Sequence, residues 1–263
     1  GSYIRISGTQ HMEAVSSMPD WLAQMLHNLI LTGQCTDITL ELNDSLMTKV
    51  LDSGTVSTSP DFVLTGTCTT SFQTSGANRS NNIVVGASRL NNLIVMPGQT
   101  VSVSDTILPR TRANGYKEAG VYVNGAHTTG LGGGVCQISS TVYNAVKNAG
   151  LTVIQRNPHS MPVNYLPKGL DAAIAAGSKD LKFRNDYTTP VVLYTDTSNK
   201  HLTVNVLVWN QELAGRSFKL WAKQTGALSA DTYFTTYQNG KEVSTQFVGT
   251  SRYNPYREAV NDD

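Results

Sequence analysis

Short segments with the alternating pattern of β-strands dominate the chain after Pro60, and one central amphipathic helix interrupts them. Two Asn-Gly pairs, Asn124-Gly125 and Asn239-Gly240, favour tight hairpins between neighbouring strands. Many short strands with few helices are typical of an α+β protein, so we predict a mostly antiparallel sheet. The central helix is predicted over 135–149, because apolar residues recur along one face and Gly150 can cap its end.

The remaining elements are predicted from the same periodicities. Strands are predicted over 62–72, 100–107, 151–156, 172–177, 180–185, 191–196, 202–210 and 218–224, with hairpins over 121–128 and 232–247. A helix followed by a strand is predicted over 81–98. The segment 100–107 alternates strictly and is the clearest strand among the earlier ones.

We divide the chain into three regions. Residues 1–12 have the character of a cloning-tag remnant and are left out of fold reasoning. Residues 13–61 are predicted to form a small N-terminal α+β module, with a helix over 20–31 and a strand over 37–44. Residues 62–257 are predicted to form the main domain, with a C-terminal β-hairpin.

The composition indicates a folded protein with an extracellular type of surface. Lys and Arg number 20 and Asp and Glu 19, a formal net charge of +1, so the charge favours neither nucleic acid nor an anionic membrane as a partner. Only 15% of the residues are charged. No segment approaches the roughly 18 apolar residues of a membrane span. A native membrane anchor is expected to have been removed ahead of residue 13.

The three cysteines lie in two different settings. Cys35 and Cys68 lie in the N-terminal third, where they either form a disulfide in an oxidising compartment or remain two small buried thiols. Cys136 follows three consecutive glycines at the start of the central helix. Because the number of cysteines is odd, at least one thiol is unpaired in the monomer.

Cys136 has the setting of a nucleophile. A thiol in the first helical turn faces unpaired backbone N–H groups and the positive end of the helix dipole, and both favour the thiolate. Cys136 lies off the apolar stripe, on a face shared with Ser139, Ser140 and Tyr143. The glycines can bring backbone N–H groups to an oxyanion. The alternative interpretation is a tight glycine turn followed by a small residue.

A cysteine nucleophile needs a base and a group that orients the base. His159 follows the next predicted strand, and Pro158 and Pro162 hold it in an extended segment. Asp171 is the first candidate to orient its ring, and Asp180 is the second. This order of residues is similar to that of papain-like and transglutaminase-like thiol enzymes, in which the cysteine begins a helix packed on a sheet.

The sequence contains no pattern typical of a metal or nucleotide site. HExxH and CxxC motifs are absent, and so is the spacing of a dinucleotide or phosphate-binding loop. We therefore predict neither a metal nor a cofactor.

Three segments, 112–151, 156–175 and 179–194, strongly resemble the VanW family, and the likeness covers about two thirds of the chain. The matching motif positions are Arg110, Asn114, Gly115, Tyr116, Gly132, Gly133, Gly134, Cys136, Gln137, Arg156, His159, Ser160, Asp171, Asp180 and Arg184. Asn157 stands where the family commonly has a histidine. Residues 13–61 are similar to a peptidoglycan-binding-like domain.

The resemblance implies an extracytoplasmic cell-surface protein of Gram-positive bacteria, membrane-anchored in its full-length form and linked to glycopeptide resistance. One hypothesis is an enzyme in which Cys136 attacks a carbonyl of a peptidoglycan stem peptide, by hydrolysis or transpeptidation, with His159 as base and acid. The alternative is a non-catalytic module that binds such peptides. Residues expected to bind substrate or support the site are Gly132, Gly133, Gly134 and Gln137 for an oxyanion, Arg156 or Arg184 for a carboxylate, and Ser160, Tyr116 and Asp180.

Overall fold

The computed structural model describes residues 62–123 and 126–255, together with three N-terminal strands. These strands are β1 (Ser2–Ser7), β2 (His11–Ala14) and β3 (Asp37–Leu42), which form an antiparallel sheet in the order β2-β1-β3. Strand β3 confirms the strand predicted over 37–44, and the sheet also includes residues set aside above as a tag remnant. The helix predicted over 20–31 and the residue Cys35 lie outside the described residues, and the division into domains stays a prediction.

Antiparallel strands and a few helices make up the main part of the chain. The strands are β4 (Phe62–Ser71), β5 (Leu93–Val95), β6 (Thr100–Ser102), β7 (Glu118–Val123), β8 (Ala126–Leu131), β9 (Thr152–Gln155), β10 (Lys182–Arg184), β11 (Val191–Asp196), β12 (His201–Trp209), β13 (Arg216–Gly226), β14 (Ser229–Gln238) and β15 (Lys241–Arg252). The helices are α1 (Ala77–Ser88), α2 (Val103–Ile107), α3 (Val135–Asn148) and α4 (Asn210–Leu213). The predicted α+β class with mostly antiparallel strands is confirmed.

The core of this part lies between helix α3 and a four-stranded sheet in the order β4-β12-β11-β5. Alternate residues of β12 and the apolar stripe of α3 are fully buried against each other: Leu202, Val204, Val206, Val208, Ile138, Val142 and Val146. Gly66 in β4 allows the closest approach, because a Cβ there would lie 2.1 Å from the carbonyl oxygen of Ala145. A side chain at Gly66 would therefore push the helix off the sheet.

Smaller sheets surround this core. One has the order β6-β10-β9, β7 pairs with β8 as a hairpin, and β13-β14-β15 form a C-terminal meander. Asn239 and Gly240 join the last two strands with φ angles of +49° and +77°, as the Asn-Gly pair predicts for a tight turn. The meander is fixed to the core at α3, where the backbone N–H of Leu220 donates to Oδ1 of Asn148 at 2.8 Å.

The strand predicted over 100–107 is wrong beyond Ser102. Strand β6 ends there, and α2 begins at the next residue. The Ser102 hydroxyl accepts a hydrogen bond from the Asp105 amide at 3.0 Å, which is the N-cap interaction that starts a helix. The N-cap interaction of Ser102 thus starts a helix within a segment whose alternating pattern is typical of a strand.

The strand predicted over 172–177 is also wrong, since only an isolated bridge from Ala175 to Lys179 forms there. The backbone groups of this segment are already bonded elsewhere. The Ala173 amide donates to the carbonyl of Asn157 at 2.7 Å, and the Ala172 amide donates to the Ser140 hydroxyl at 2.9 Å. The segment therefore binds α3 and its neighbouring loop instead of pairing in a sheet.

No helix in the part of the chain that the structure describes combines the length and apolar character needed to cross a lipid bilayer.

Candidate functional site

A turn of three glycines, Gly132, Gly133 and Gly134, leads into α3, and the space around it excludes side chains. A Cβ on Gly132 would lie 2.9 Å from Cδ of Arg110, and one on Gly134 would lie 2.9 Å from Cγ of Arg79. A Cβ on Gly133 would lie 2.5 Å from a backbone oxygen of β7. Gly134 also has a φ of +110°, in the left-handed region. The turn therefore lets two arginine side chains and a strand approach the start of the helix.

Cys136 is the second residue of α3 and is half-buried. Its Sγ donates a hydrogen bond to the carbonyl oxygen of Ile174 at 3.3 Å. The amides on either side of it donate to carbonyls of the glycine turn at 3.4 and 3.0 Å, whereas the Cys136 amide has no backbone acceptor among the described residues. An N–H group in the first helical turn is thus left beside the sulfur.

The polar face of α3 holds the loop that carries Asp171. Ser139 Oγ donates to the carbonyl of Ala172 at 2.6 Å, and Ser140 Oγ accepts from the amide of the same residue. One turn later, Asn144 Nδ2 donates to the carbonyl of Leu170 at 2.7 Å. These polar side chains are buried against the loop. The face shared with Cys136 is therefore a second packing surface of the helix, and it positions the residues between 170 and 172.

His159 and Asp171 are bound to each other twice. Asp171 Oδ2 lies 2.7 Å from the backbone N of His159 and 2.7 Å from its Nδ1. The aspartate side chain is 1% exposed and that of the histidine is 19% exposed. The ring also interacts with Cys136, and each group favours the charged form of the other. Because Nδ1 is bound to the carboxylate, Nε2 is the nitrogen left for the sulfur.

The other carboxylate oxygen of Asp171 is held by residues from distant parts of the chain. Oδ1 accepts a hydrogen bond from the Tyr253 hydroxyl at 2.5 Å and a weaker contact from Arg156 Nη2 at 3.3 Å. The Tyr253 hydroxyl in turn accepts from the Gly169 amide at 2.6 Å. Arg156 also donates from Nε to the Asp171 carbonyl at 2.7 Å and lies over the Tyr143 ring. The orientation of the carboxylate is therefore fixed on both sides.

These contacts shift the three titrating groups in a consistent direction. Burial alone disfavours the Cys136 thiolate, but the hydrogen bond and the positive charge of His159 hold the pKa of this thiol below its ordinary value. Burial also opposes the imidazolium, yet the bonds to Asp171 and Cys136 raise the pKa of His159 to about 9. Burial likewise opposes the Asp171 carboxylate, while the bonds from His159 and Tyr253 keep its pKa low. The site favours a thiolate–imidazolium pair beside a carboxylate.

Several residues predicted to contact a substrate have other partners in the structure. Both hydrogens of the Gln137 amide are used, one by Thr70 Oγ1 and one by a carbonyl of β4, each at 3.0 Å. Its oxygen accepts from Arg79 at 2.8 Å. Tyr116 is 1% exposed and donates to the carbonyl of Ile107. Gln137 is thus not free to donate to an oxyanion, and Tyr116 belongs to the core.

The second aspartate and the second arginine also bind elsewhere. The Asp180 carboxylate accepts from the Ser102 hydroxyl and from the Ser104 amide, so it caps α2 and does not orient His159. Arg184 pairs with Asp186. Ser160 is exposed, and its backbone carbonyl accepts a hydrogen bond from the Asn254 amide.

Sequence reasoning missed three residues that support the site. Tyr253 holds Asp171, as described above. The Tyr165 hydroxyl lies 3.4 Å from Ser140 Oγ, and burial together with the negative charge of Cys136 raises its pKa. Arg79 fastens Gln137 to α1. None of these has a sequence signal of its own, because each reaches the site from a segment whose position depends on tertiary packing.

Cys68 lies in β4, opposite Val204. Burial raises the pKa of this thiol to about 12. Its possible partner Cys35 lies outside the described residues, so the choice between a disulfide and two thiols stays a prediction. Among the described residues, no three His, Cys, Asp or Glu side chains are arranged to hold a metal ion.

Comparison with known proteins places these residues in one family. A family model described as "VanW like protein" matches residues 78–207. "Uncharacterized protein YoaR" of Bacillus subtilis (strain 168) is 41% identical over 128 residues, which are 49% of this chain and 42% of that protein. "Vancomycin B-type resistance protein VanW" of Enterococcus faecalis (strain ATCC 700802 / V583) is 36% identical over 114 residues, 41% of this chain and 42% of that protein.

The chain spans less than half the length of either relative, and no solved structure gives a significant match. The matched segment includes Cys136, His159 and Asp171, whereas Tyr253 lies beyond its end. Residues 78–207 are therefore VanW-like, as the resemblance predicted.

Proposed function

We propose that this chain is a cell-envelope thiol enzyme that transfers an acyl group from a peptidoglycan stem peptide to water or to an amine. The observation that carries the proposal is the relay from Asp171 through His159 to Cys136, in which the carboxylate binds Nδ1 at 2.7 Å and the imidazole favours the thiolate. Nucleophile, base and orienting group thus follow one another in the order that nucleophilic catalysis requires.

The chemistry follows from the protonation states that the site favours. The Cys136 thiolate attacks the carbonyl carbon of an amide, a C–S bond forms, and the carbonyl electrons move to its oxygen. Nε2–H of His159 then protonates the leaving amine as the C–N bond breaks, which leaves a thioester and a neutral imidazole. Water or an acceptor amine loses a proton to Nε2 and attacks the thioester, and the thiolate and imidazolium are regenerated.

The oxyanion formed in both steps needs donors close to the sulfur. Gln137 has no free donor, but the backbone N–H of Cys136 lies at the helix N-terminus without a backbone acceptor among the described residues. The helix dipole adds positive potential there. We therefore assign the Cys136 amide to the oxyanion in place of the Gln137 side chain.

The substrate class is supported by the family and by the name of one relative. The Enterococcus faecalis protein is named for resistance to vancomycin, a glycopeptide antibiotic. A role at the cell envelope, with stem peptides as substrate, gives the thiol site a target of the right chemistry, because these peptides present amide bonds outside the cytoplasm. The same proposal places the protein at the cell surface, on the extracytoplasmic side.

The test is product analysis with muropeptides released from a Gram-positive cell wall. Wild-type protein is expected to yield shortened peptides, which indicate hydrolysis, or joined peptides, which indicate transpeptidation, in liquid chromatography with mass spectrometry. Cys136→Ser and His159→Gln should abolish both products, while His201→Gln, at the start of β12, should not. Turnover that survives in Cys136→Ser would disprove the proposal. Binding of muropeptides without any turnover would favour the non-catalytic module.

A further inference from the structure

Two arginines approach the glycine turn, and they differ in what their guanidinium groups bind. Arg79 donates to the Ser75 hydroxyl at 2.5 Å and to Gln137 Oε1 at 2.8 Å, so its donors are used within the protein. Arg110 lies against Gly132, with its Cδ 2.9 Å from the position of a Cβ there. Its Nη1 is buried and has no hydrogen-bond partner among the described residues. Arg110 thus brings an unused charged donor to the turn.

A buried guanidinium nitrogen without an acceptor is unfavourable unless a ligand supplies one. The group also lies close enough to the sulfur for its positive charge to favour the Cys136 thiolate. The arginines proposed from the sequence to bind a carboxylate are both occupied, Arg156 by Asp171 and Arg184 by Asp186. Among the described residues, Arg110 is therefore an arginine near the thiol that has a free donor for a substrate.

Resting on the proposed function, we infer that Arg110 binds a carboxylate of the substrate peptide and positions the peptide for attack by Cys136. A planar guanidinium fits a carboxylate better than any neutral group, because its parallel N–H donors match the two oxygens. The carboxylate is either the free C-terminus of the peptide or an acidic side chain, and both have the same chemistry at Arg110. Gly132 is required in this arrangement because a side chain there would displace Arg110.

One test measures the charge at the sulfur and does not depend on turnover. The rate constants for alkylation of Cys136 by anionic iodoacetate and by neutral iodoacetamide are compared in a Cys35→Ser background. Arg110→Gln should lower the ratio of the iodoacetate rate to the iodoacetamide rate about tenfold, which is the effect of one charge-assisted hydrogen bond. Arg110→Lys should lower this ratio less. Arg112→Gln is the matched control, because this nearby guanidinium is 75% exposed and pairs with Glu118. An unchanged ratio in Arg110→Gln would overturn the inference.

A second test uses wild-type protein and identifies the source of the carboxylate. Three peptides are compared for protection of Cys136 against iodoacetamide: acetyl-Ala-Gln-Lys-D-Ala with a free C-terminus, its C-terminal amide, and the amide with Glu in place of Gln. One of the two peptides that carry a carboxylate should protect at a concentration about tenfold lower than the peptide without one. Equal or absent protection by all three would overturn the inference. Muropeptide turnover in the same preparation would show that the thiol site itself still functions.

Discussion

Replacing His159 by Gln should move the ionisation of Cys136 from below to above the ordinary pKa of a cysteine thiol. In the folded protein burial disfavours the thiolate, and His159 is the strongest of the groups that favour it, ahead of Ile174 and Arg110. Gln keeps a polar side chain of similar length but carries no positive charge. The substitution therefore removes the main favourable effect, burial outweighs the weaker ones, and the pKa of Cys136 should exceed about 8.5.

The size of the effect follows from the histidine. A pKa of about 9 for His159, against an ordinary value of 6.5, means that its surroundings favour the imidazolium by about 3 kcal/mol, at about 1.4 kcal/mol per pH unit. Asp171 and Cys136 share this stabilisation, and the part that belongs to the sulfur favours the thiolate equally. At pH 6.5 a thiol of ordinary pKa is about 1% ionised. The variant should therefore react at least about tenfold more slowly than wild type at that pH.

The assay is the rate of iodoacetamide alkylation between pH 5 and 10, with modification of Cys136 located by peptide mass spectrometry. Cys35→Ser serves as the background, and the buried Cys68, with a pKa raised to about 12, should not react. His201→Gln is the control, because this exposed imidazole bonds to the Asn199 carbonyl. The midpoint of the profile matters more than the absolute rate, because a thiolate of lower pKa is intrinsically less nucleophilic. Equal midpoints in wild type and His159→Gln would refute the reasoning.

Three further predictions concern the groups that hold the site. Tyr253→Phe removes the 2.5 Å bond to Asp171 and should lower the free energy of unfolding by about 1–3 kcal/mol in urea titrations. Gly66→Ala places a Cβ 2.1 Å from a helix carbonyl and should destabilise by about 3 kcal/mol or more, whereas Gly76→Ala, with nothing within 4 Å, should be tolerated. The lowered pKa of Asp171 contributes stability that is present above its unfolded value of about 3.9 and is lost as pH falls below it. In Asp171→Asn, the urea concentration at the unfolding midpoint should accordingly fall less between pH 5 and pH 2 than in wild type. An equal fall in both proteins would contradict the stabilising role of the Asp171 carboxylate.

Much of the fold can be predicted because its signals are local. Periodicity or turn chemistry within a few residues predicts the strands β4 and β10 to β15, the helix after the glycines, and the turn at Asn239-Gly240. The errors at 100–107 and 172–177 have the opposite cause. In the first, Asp180 binds Ser102 and Ser104 from 76 or more residues away and stabilises a helical start. In the second, hydroxyl groups of α3 form hydrogen bonds with the backbone groups that a strand would use for pairing.

The residues of the candidate site also fall into two groups, those with a local sequence signal and those without one. Cys136, His159 and Asp171 were identifiable because each lies beside a local signal: a glycine turn, two prolines, or a motif segment. The groups that fix them were not. Tyr253 is 82 residues from the carboxylate it holds, and Arg110 stands out among the described arginines because its buried Nη1 has no partner. No sequence pattern records which arginine is already paired, because that depends on contacts made after folding.

The glycine turn admits two interpretations from sequence, a catalytic one and a purely steric one, and the structure shows that they are compatible. Steric crowding by Arg110, Arg79 and strand β7 forces glycine at all three positions. The same crowding brings one guanidinium with an unused donor to the start of α3, where the Cys136 sulfur and amide lie. Packing at the turn is thus the means by which charge and donors reach the sulfur. A side chain at Gly132 should therefore impair the thiol site by displacing Arg110 even if the helix still forms.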